Sequence, residues 1–427
     1  MKLLLKNMAV ADPNVSYDGV RDILIENGIV TDVETSITCD ADRIIDGKGK
    51  LVASPGLVDM HVHFRDPGFT YKEDILTGSM AAKAGGVTTV LCMPNTKPTI
   101  DNPDTVRYIK DKAKETGITV HPVASITKGL TGKELSDYDE LKNCGVIAIS
   151  DDGRPVENAE LMRKALELSN ENKLCVISHC EDLNIINGGI INKGKVSKAL
   201  GVKGMDRASE DYITAREIAL AMSCDAKIHI AHVSTKGSVN IIRAAKKDGV
   251  RVTCETCPHY FTYTDKKLLS QDADYRMSPP LREEEDREAV ENALLDGTID
   301  CIVTDHAPHS AEDKADFLTA PNGVVGLETS LAVTLTQLYH TGKLSLSGVI
   351  KLMSSNPRDV LDLERVSVQV GSVADIVVFD PDMQWEVVPE KLHSKSKNSV
   401  FKGEHLKGRV IYTISNGNVV FELNDAT

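Results

Sequence analysis

Leu51-Val52-Ala53-Ser54-Pro55-Gly56-Leu57-Val58-Asp59-Met60-His61-Val62-His63-Phe64-Arg65-Asp66 is an apolar run that ends in a polar cluster. The run from Leu51 to Val62 reads as a buried strand, and side chains on a strand alternate between faces. His61 and His63 therefore point the same way. Two imidazoles on one rigid strand begin a metal site, because borderline metals such as zinc favour nitrogen ligands in fixed geometry. A His-x-His pair alone is weak evidence, since surface pairs that bind nothing are common. Its meaning depends on what the rest of the chain brings to it.

From about residue 55 a rhythm repeats: a short β-branched run ending in polar residues, then an amphipathic helical stretch. The strand-like runs are Leu57–His63, Val87–Met93, Ile118–Ala124, Val146–Ser150, Leu174–His179, Lys227–His232, Val250–Glu255 and Asp300–Thr304. Between them, segments such as Glu157–Asn172, Glu210–Ser223, Lys236–Lys247 and Glu284–Leu295 carry apolar residues every three or four positions. Alternating β and α units predict parallel strands covered by helices, and eight of them predict a closed (β/α)8 TIM barrel over residues 54–365. An open doubly wound sheet is the alternative, but no G-x-G-x-x-G turn follows the first strand. The two ends read differently. Residues 1–53 and 366–427 hold short alternating runs broken by turn residues: Ile23–Ile25, Ile29–Val33, Arg43–Ile45, Ile376–Phe379, Val410–Ile414 and Val419–Phe421. They predict one small β-sandwich domain built from both termini, with the barrel inserted between them.

Composition narrows the class. In 427 residues, 41% hydrophobic and 26% charged content is ordinary for a globular protein. A net charge of −14 argues against nucleic acid and anionic membranes as partners. No apolar run approaches the roughly 20 residues that cross a bilayer, and Lys2-Leu3-Leu4-Leu5-Lys6 is too short for a signal peptide. Nine cysteines without disulfide-like spacing suit a reducing compartment. The expected location is cytoplasmic. Cys254-Glu255-Thr256-Cys257 lacks the second pair that a zinc ribbon needs, and it reads as strand residues.

Catalytic residues of such barrels sit at the C-terminal ends of the strands, which converge on one face. Here strand one ends in His61 and His63, strand four runs into Asp151-Asp152-Gly153, strand five ends in His179, strand six in His232, and strand eight in Asp305-His306. Each is dismissible singly; together they predict a metal centre. Six such ligands exceed the four of a tetrahedral zinc, so a binuclear site with a bridging carboxylate fits better. Two metals lower the pKa of a shared water and polarise a carbonyl, the equipment for hydrolysing an amide or a cyclic imide.

The chain resembles the amidohydrolase superfamily and, within it, the longer bacterial-type dihydroorotases. The motifs that carry the resemblance are Asp59-Met60-His61-Val62-His63-Phe64-Arg65-Asp66-Pro67-Gly68, Met93-Pro94-Asn95-Thr96, Ser150-Asp151-Asp152-Gly153, His179-Cys180-Glu181-Asp182, His232-Val233-Ser234-Thr235 and Thr304-Asp305-His306-Ala307-Pro308-His309, with Ala374-Asp375 and Lys397-Asn398-Ser399-Val400-Phe401-Lys402-Gly403 in the tail. The resemblance implies that His61, His63 and Asp305 hold one zinc, that His179 and His232 hold a second, and that Asp152, chosen over Asp151 by its spacing to His179, bridges them where many relatives use a carboxylated lysine. It implies reversible cyclisation of N-carbamoyl-L-aspartate to L-dihydroorotate in pyrimidine synthesis, with Asp305 moving the proton. Arg65, on the face of His63 if the strand stays extended, would clamp the substrate carboxylate unless it pairs with Asp66 or Glu73. Asn95, Ser278 and His309 would add donors. Ser278 stands where dihydroorotases usually carry an asparagine, and Glu255-Thr256-Cys257-Pro258-His259-Tyr260 looks more like hydantoinases and allantoinases.

Two alternatives follow: another cyclic-amide hydrolase, or a non-catalytic scaffold for aspartate carbamoyltransferase. The retained ligands oppose the scaffold, while a complex with that enzyme in addition to catalysis, and a homodimer, remain expectations. The long segment 306–325, directly after Asp305, is expected to close over substrate.

Overall fold

The computed structural model describes residues 1–424. In it the Leu51–Val62 run is two strands, not one. Val52–Pro55 pairs antiparallel with the start of Ile376–Glu386, and Leu57–Val62 opens the barrel. The chain changes partners at Gly56, whose amide donates to the Asp375 carbonyl at 2.9 Å. A Cβ at this position would collide with the Thr88 side chain, so the crossing requires glycine. Hydrophobic continuity hid the break, because both strands are buried along their whole length.

The barrel strands are, in order, Leu57–Val62, Val87–Cys92, Thr119–Pro122, Ala148–Ile149, Cys175–Ser178, Ile228–Ile230, Val252–Thr256 and Cys301–Ile302. Neighbours in this series pair parallel. An Ala124–Ile149 bridge joins strands three and four, and a Val62–His306 bridge closes strand eight onto strand one. The ring is therefore a closed (β/α)8 barrel, and closure leaves no sheet edge exposed. Four predicted helices lie at Ala159–Asn172, Ala208–Ser223, Lys236–Lys247 and Glu284–Leu295. Asn158 and Thr235 start two of them by accepting first-turn amide protons, which satisfies backbone donors that the helix cannot. Val239, Ile242 and Ala245 then form the buried stripe of Lys236–Lys247.

Most barrel strands stop short of their predicted ends. The residues beyond them leave the ladder: Arg65, His232 and Asp305 have φ of 58°, 35° and 47°. Non-glycine residues held in this region cost about 1–3 kcal/mol each and persist only where surrounding bonds fix them. They are polar residues of the C-terminal face, turned out of the strand direction and toward one another.

The terminal segments share one eight-stranded sheet. Its first strand, Lys2–Val10, pairs with Arg21–Glu26 and Arg43–Asp46 near its start and with Val52–Pro55 near its end. The register slips between Leu5 and Met8, at Asn7 with φ 52°, and such a bulge bends a sheet. The result is a small β-sandwich. Leu3, Leu5, Ile23 and Ile25 pack with Ile376, Val378 and Ile414 in a core of their own. The alternate residues Val377 and Phe379 belong to the barrel's core, so the period of two along one strand couples both bodies. Lys2–Val10 was not expected as a strand, because Leu3, Leu4 and Leu5 are all buried and show no alternation. Among the described residues no helix is long and apolar enough to cross a membrane.

Phe379→Ala would leave a cavity at this fully buried junction. We expect a loss of about 3–5 kcal/mol, read as a lower urea midpoint with an unchanged slope.

Candidate metal centre

Three of the four candidate ligand histidines, His61, His63 and His179, are oriented by an acceptor behind them, while the buried Nδ1 of His232 has no such partner. His61 Nδ1 lies 2.8 Å from Glu255 Oε1, and the buried carboxylate can only accept, so the ring donates there and turns its Nε2 lone pair inward. That buried Nε2 has no hydrogen-bond partner. His63 Nδ1 lies 2.8 Å from the Asn95 amide oxygen, and its Nε2 stands 3.4 Å from Asp152 Oδ2 and 3.1 Å from Asp305 Oδ1. His179 gives Nε2–H to Glu181 at 2.9 Å, which leaves Nδ1 facing Asp152 Oδ1 at 3.2 Å. His232 Nε2 lies 2.9 Å from His179 Nδ1 and 3.7 Å from Asp152. Asp305 also reaches within 3.7 Å of His61 Nε2.

Ligand atoms thus gather into two buried sets, His61 with His63 and Asp152, and Asp152 with His179 and His232. Asp152 is common to both. Carboxylates and imidazole lone pairs converge here with almost no donor among them, an arrangement that is stable only around positive charge. The electrostatics say the same. Burial opposes charge on His61, yet Asp152, Glu255 and Asp305 together outweigh it and raise its pKa well above the ordinary histidine value. Burial likewise opposes His179, while its bonds to Asp152 and Glu181 push it up to about 10. Burial disfavours the Asp305 carboxylate, but His63 and the charge on His61 pull it down to about 2. A divalent cation supplies that charge without protons. The donor set fits a metal.

Asp151 is turned elsewhere: it accepts the Thr127 amide at 3.0 Å and the Thr127 hydroxyl. Three residues that the sequence reading did not single out hold the ligands in place. Glu255 bridges His61 and His229, the latter at 3.1 Å. Glu181 holds His179. Asp59 accepts the Thr304 hydroxyl at 2.6 Å and the His61 amide at 3.1 Å, tying strand one to strand eight. Spacing offered a signal for two of them, since Asp59 and Glu181 each stand two residues from a ligand histidine. Glu255 was visible only as a carboxylate at a strand end.

A cavity of about 410 Å³ opens over these ligands, and Arg65, Asn95, Ser278 and His309 all line it. Arg65 arrives by a different route from the one expected. The strand ends at Val62 and Arg65 is left-handed, so alternation does not apply. The competing ion pairs are not formed. Asp66 is taken by Lys112 and by the Tyr108 hydroxyl at 2.9 Å, and Glu73 by Ser394, Thr77 and the Lys395 amide. Arg65 touches the Pro308 carbonyl at 3.3 Å. Asn95 donates to Asp152 at 3.3 Å while accepting from His63, so one amide N–H is left for the cavity. Ser278 gives its hydroxyl proton to Glu181 at 2.6 Å; it therefore faces the cavity as an acceptor, not as the donor expected. The 306–325 segment is tethered: Lys314 donates to the carbonyls of Ala273, Arg276 and Pro321, and Asn398 bonds both the His309 amide and the Gly323 carbonyl.

Fold and site together define a barrel hydrolase of the amidohydrolase type, built for metal-assisted cleavage of cyclic amides. A family described as "Dihydro-orotase-like" matches residues 49–238. The dihydroorotase of Trichlorobacter lovleyi is 50% identical over 424 residues, covering 99% of this chain and 99% of that one. That of Acetivibrio thermocellus is 48% identical over 420 residues, covering 98% of each. Among solved structures, the L-hydantoinase (dihydropyrimidinase) of Arthrobacter aurescens superposes with a TM-score of 0.87 at 26% identity, covering 100% of this chain and 97% of that one. The chain belongs to the dihydroorotase family. The hydantoinase likeness of its seventh-strand segment is thus a shared architecture and does not move it out of that family.

Glu255→Ala would free the His61 ring while leaving every ligand in place. We expect metal affinity to fall about 10–100-fold in a chelator competition, the usual cost of losing such an orienting partner.

Proposed function

We propose that this protein interconverts L-dihydroorotate and N-carbamoyl-L-aspartate, a step of pyrimidine biosynthesis. The observation that carries the reading is the placement of Arg65 and a free Asn95 N–H in the same cavity as the two ligand sets. A cyclic imide bearing a carboxylate uses both parts: the ring carbonyl meets the ligands and the carboxylate meets the guanidinium. Hydantoin and allantoin lack that carboxylate and leave Arg65 without a partner.

The residues divide the work. His61, His63 and Asp305 would hold one zinc, and His179 and His232 the other, with Asp152 between them. When bound, the metals activate water and polarise the ring carbonyl. Asp305, 3.1 Å from His63 Nε2 and depressed to about 2, is ionised and would accept the proton of the attacking water. As the carbonyl carbon gains the water oxygen and the ring C–N bond breaks, Asp305 returns that proton to the leaving nitrogen. Water is consumed, one bond is cleaved, and no net proton is left on the enzyme. Arg65 would hold the carboxylate, while Asn95 and Ser278 would fix the ring by hydrogen bonds and His309, held between Lys72 and the Asn322 carbonyl, walls the same cavity. A two-unit division, residues 1–53 with 366–427 around 54–365, a cytoplasmic homodimer and docking to aspartate carbamoyltransferase belong to the same proposal. The separate sandwich core supports the first.

The test is turnover of L-dihydroorotate, allantoin and hydantoin by zinc-supplemented protein. We expect dihydroorotate alone to be hydrolysed, and Asp305→Asn to lower kcat by at least about 10²-fold, the lower range for a lost general base. Preference for hydantoin or allantoin would overturn the substrate assignment, and inactivity on all three with metal bound would return the scaffold reading.

A further inference from the structure

We propose that Lys72 is a positioning residue that locks His309 as a neutral, Nε2-protonated imidazole, so that the ring's one N–H is fixed on the Asn322 carbonyl and seats the 306–325 segment beside the substrate carboxylate. This rests on the dihydroorotate reading of the site. Lys72 Nζ lies 3.1 Å from His309 Nδ1. An ammonium donates and cannot accept, so Nδ1 must be the acceptor and carry no proton. On the other side, His309 Nε2 lies 2.9 Å from the Asn322 carbonyl, which only accepts. Both partners demand the same tautomer. Arg65 Nη2, a donor as well, stands 3.4 Å from Nε2 and cannot take that proton.

The charged groups around the ring explain why a lysine is needed. Asp313 Oδ2 lies 3.8 Å from His309 Nδ1 and 3.1 Å from Lys72 Nζ, so Lys72 stands between the carboxylate and the ring. Arg65, Lys72 and Lys314 are the cations that face His309, and Asp313 is the facing anion. Burial first, then those three cations, push the histidine down to about 2, so it stays neutral through the working pH range. With Lys72 removed, burial, Arg65 and Lys314 still keep the ring neutral, but Nδ1 loses its donor and faces the Asp313 carboxylate, so the one proton is drawn toward Nδ1 and the bond to Asn322 is lost. The lock also reaches the loop, because Asp313 and Asn322 both belong to the 306–325 segment. Lys72 therefore couples the seating of that segment to the tautomer of a ring that lines the cavity.

The test compares wild type, Lys72→Met and Lys72→Arg on L-dihydroorotate between pH 6 and 9, reading the ratio of variant to wild-type KM at each pH. The ratio cancels pH effects on substrate and metals that all variants share. We expect the Lys72→Met ratio to stand at about ten at every pH of this range, the size of one lost hydrogen bond, while kcat stays within about threefold. Lys72→Arg keeps a donor toward Nδ1 and should hold the ratio near one. A Lys72→Met ratio near one would overturn the proposal, as would one that climbs or falls with pH, a loss confined to kcat, or a Lys72→Arg variant that behaves like methionine. Wild-type inactivity on dihydroorotate would instead sink the substrate reading on which the proposal rests.

Discussion

A buried carboxylate shared by two sets of imidazoles is the constraint around which this barrel is arranged. Asp152 lies within 3.2–3.7 Å of nitrogens from His61, His63, His179 and His232, which come from the ends of strands one, five and six. Acceptors packed this closely in a low-dielectric interior repel one another unless positive charge sits among them. The protein accepts that cost because the outer nitrogens of His61, His63 and His179 are fixed by Glu255, Asn95 and Glu181, which orients those three rings.

The supports of the site run outward into the scaffold. Glu210 accepts the amides of Ser234 at 2.9 Å and Thr235 at 3.0 Å, and pairs with Arg282 at 3.2 Å, which fixes the turn after His232. Asp59 does the same for the seam where the ring closes. Residue Asn398, from the C-terminal segment, holds the His309 amide and the Gly323 carbonyl. The terminal segments therefore contribute more than a separate sandwich: they seat the loop that borders the cavity.

Much of this was legible from residue patterns. Alternation of β-branched runs and amphipathic stretches gave the barrel, since both periods are set by backbone geometry. The gathering of His61, His63, Asp152, His179 and His232 was legible because the ends of parallel strands converge. What was hidden depended on contacts between distant segments. Gly56 divides the Leu51–Val62 run where Thr88 packs against it; Pro55-Gly56 is a local turn signal, but the change of strand partners there is recorded only by distant contacts. Arg65 was placed on the right face for the wrong reason, since the strand ends before it and a left-handed turn takes it to the cavity. Glu181 takes the hydroxyl proton of Ser278, which converts an expected donor into an acceptor. Such reversals belong to hydrogen-bond networks, which are settled in three dimensions.

Asp152 is common to both candidate ligand sets, and the proposed reading places it between two metals. Anomalous diffraction from zinc-loaded crystals tests it directly. Two peaks about 3.5–4 Å apart, flanking Asp152 with His61 and His63 on one side and His179 and His232 on the other, are the predicted result for a paired site. A single peak, or coordination through Asp151 in place of Asp152, would contradict it.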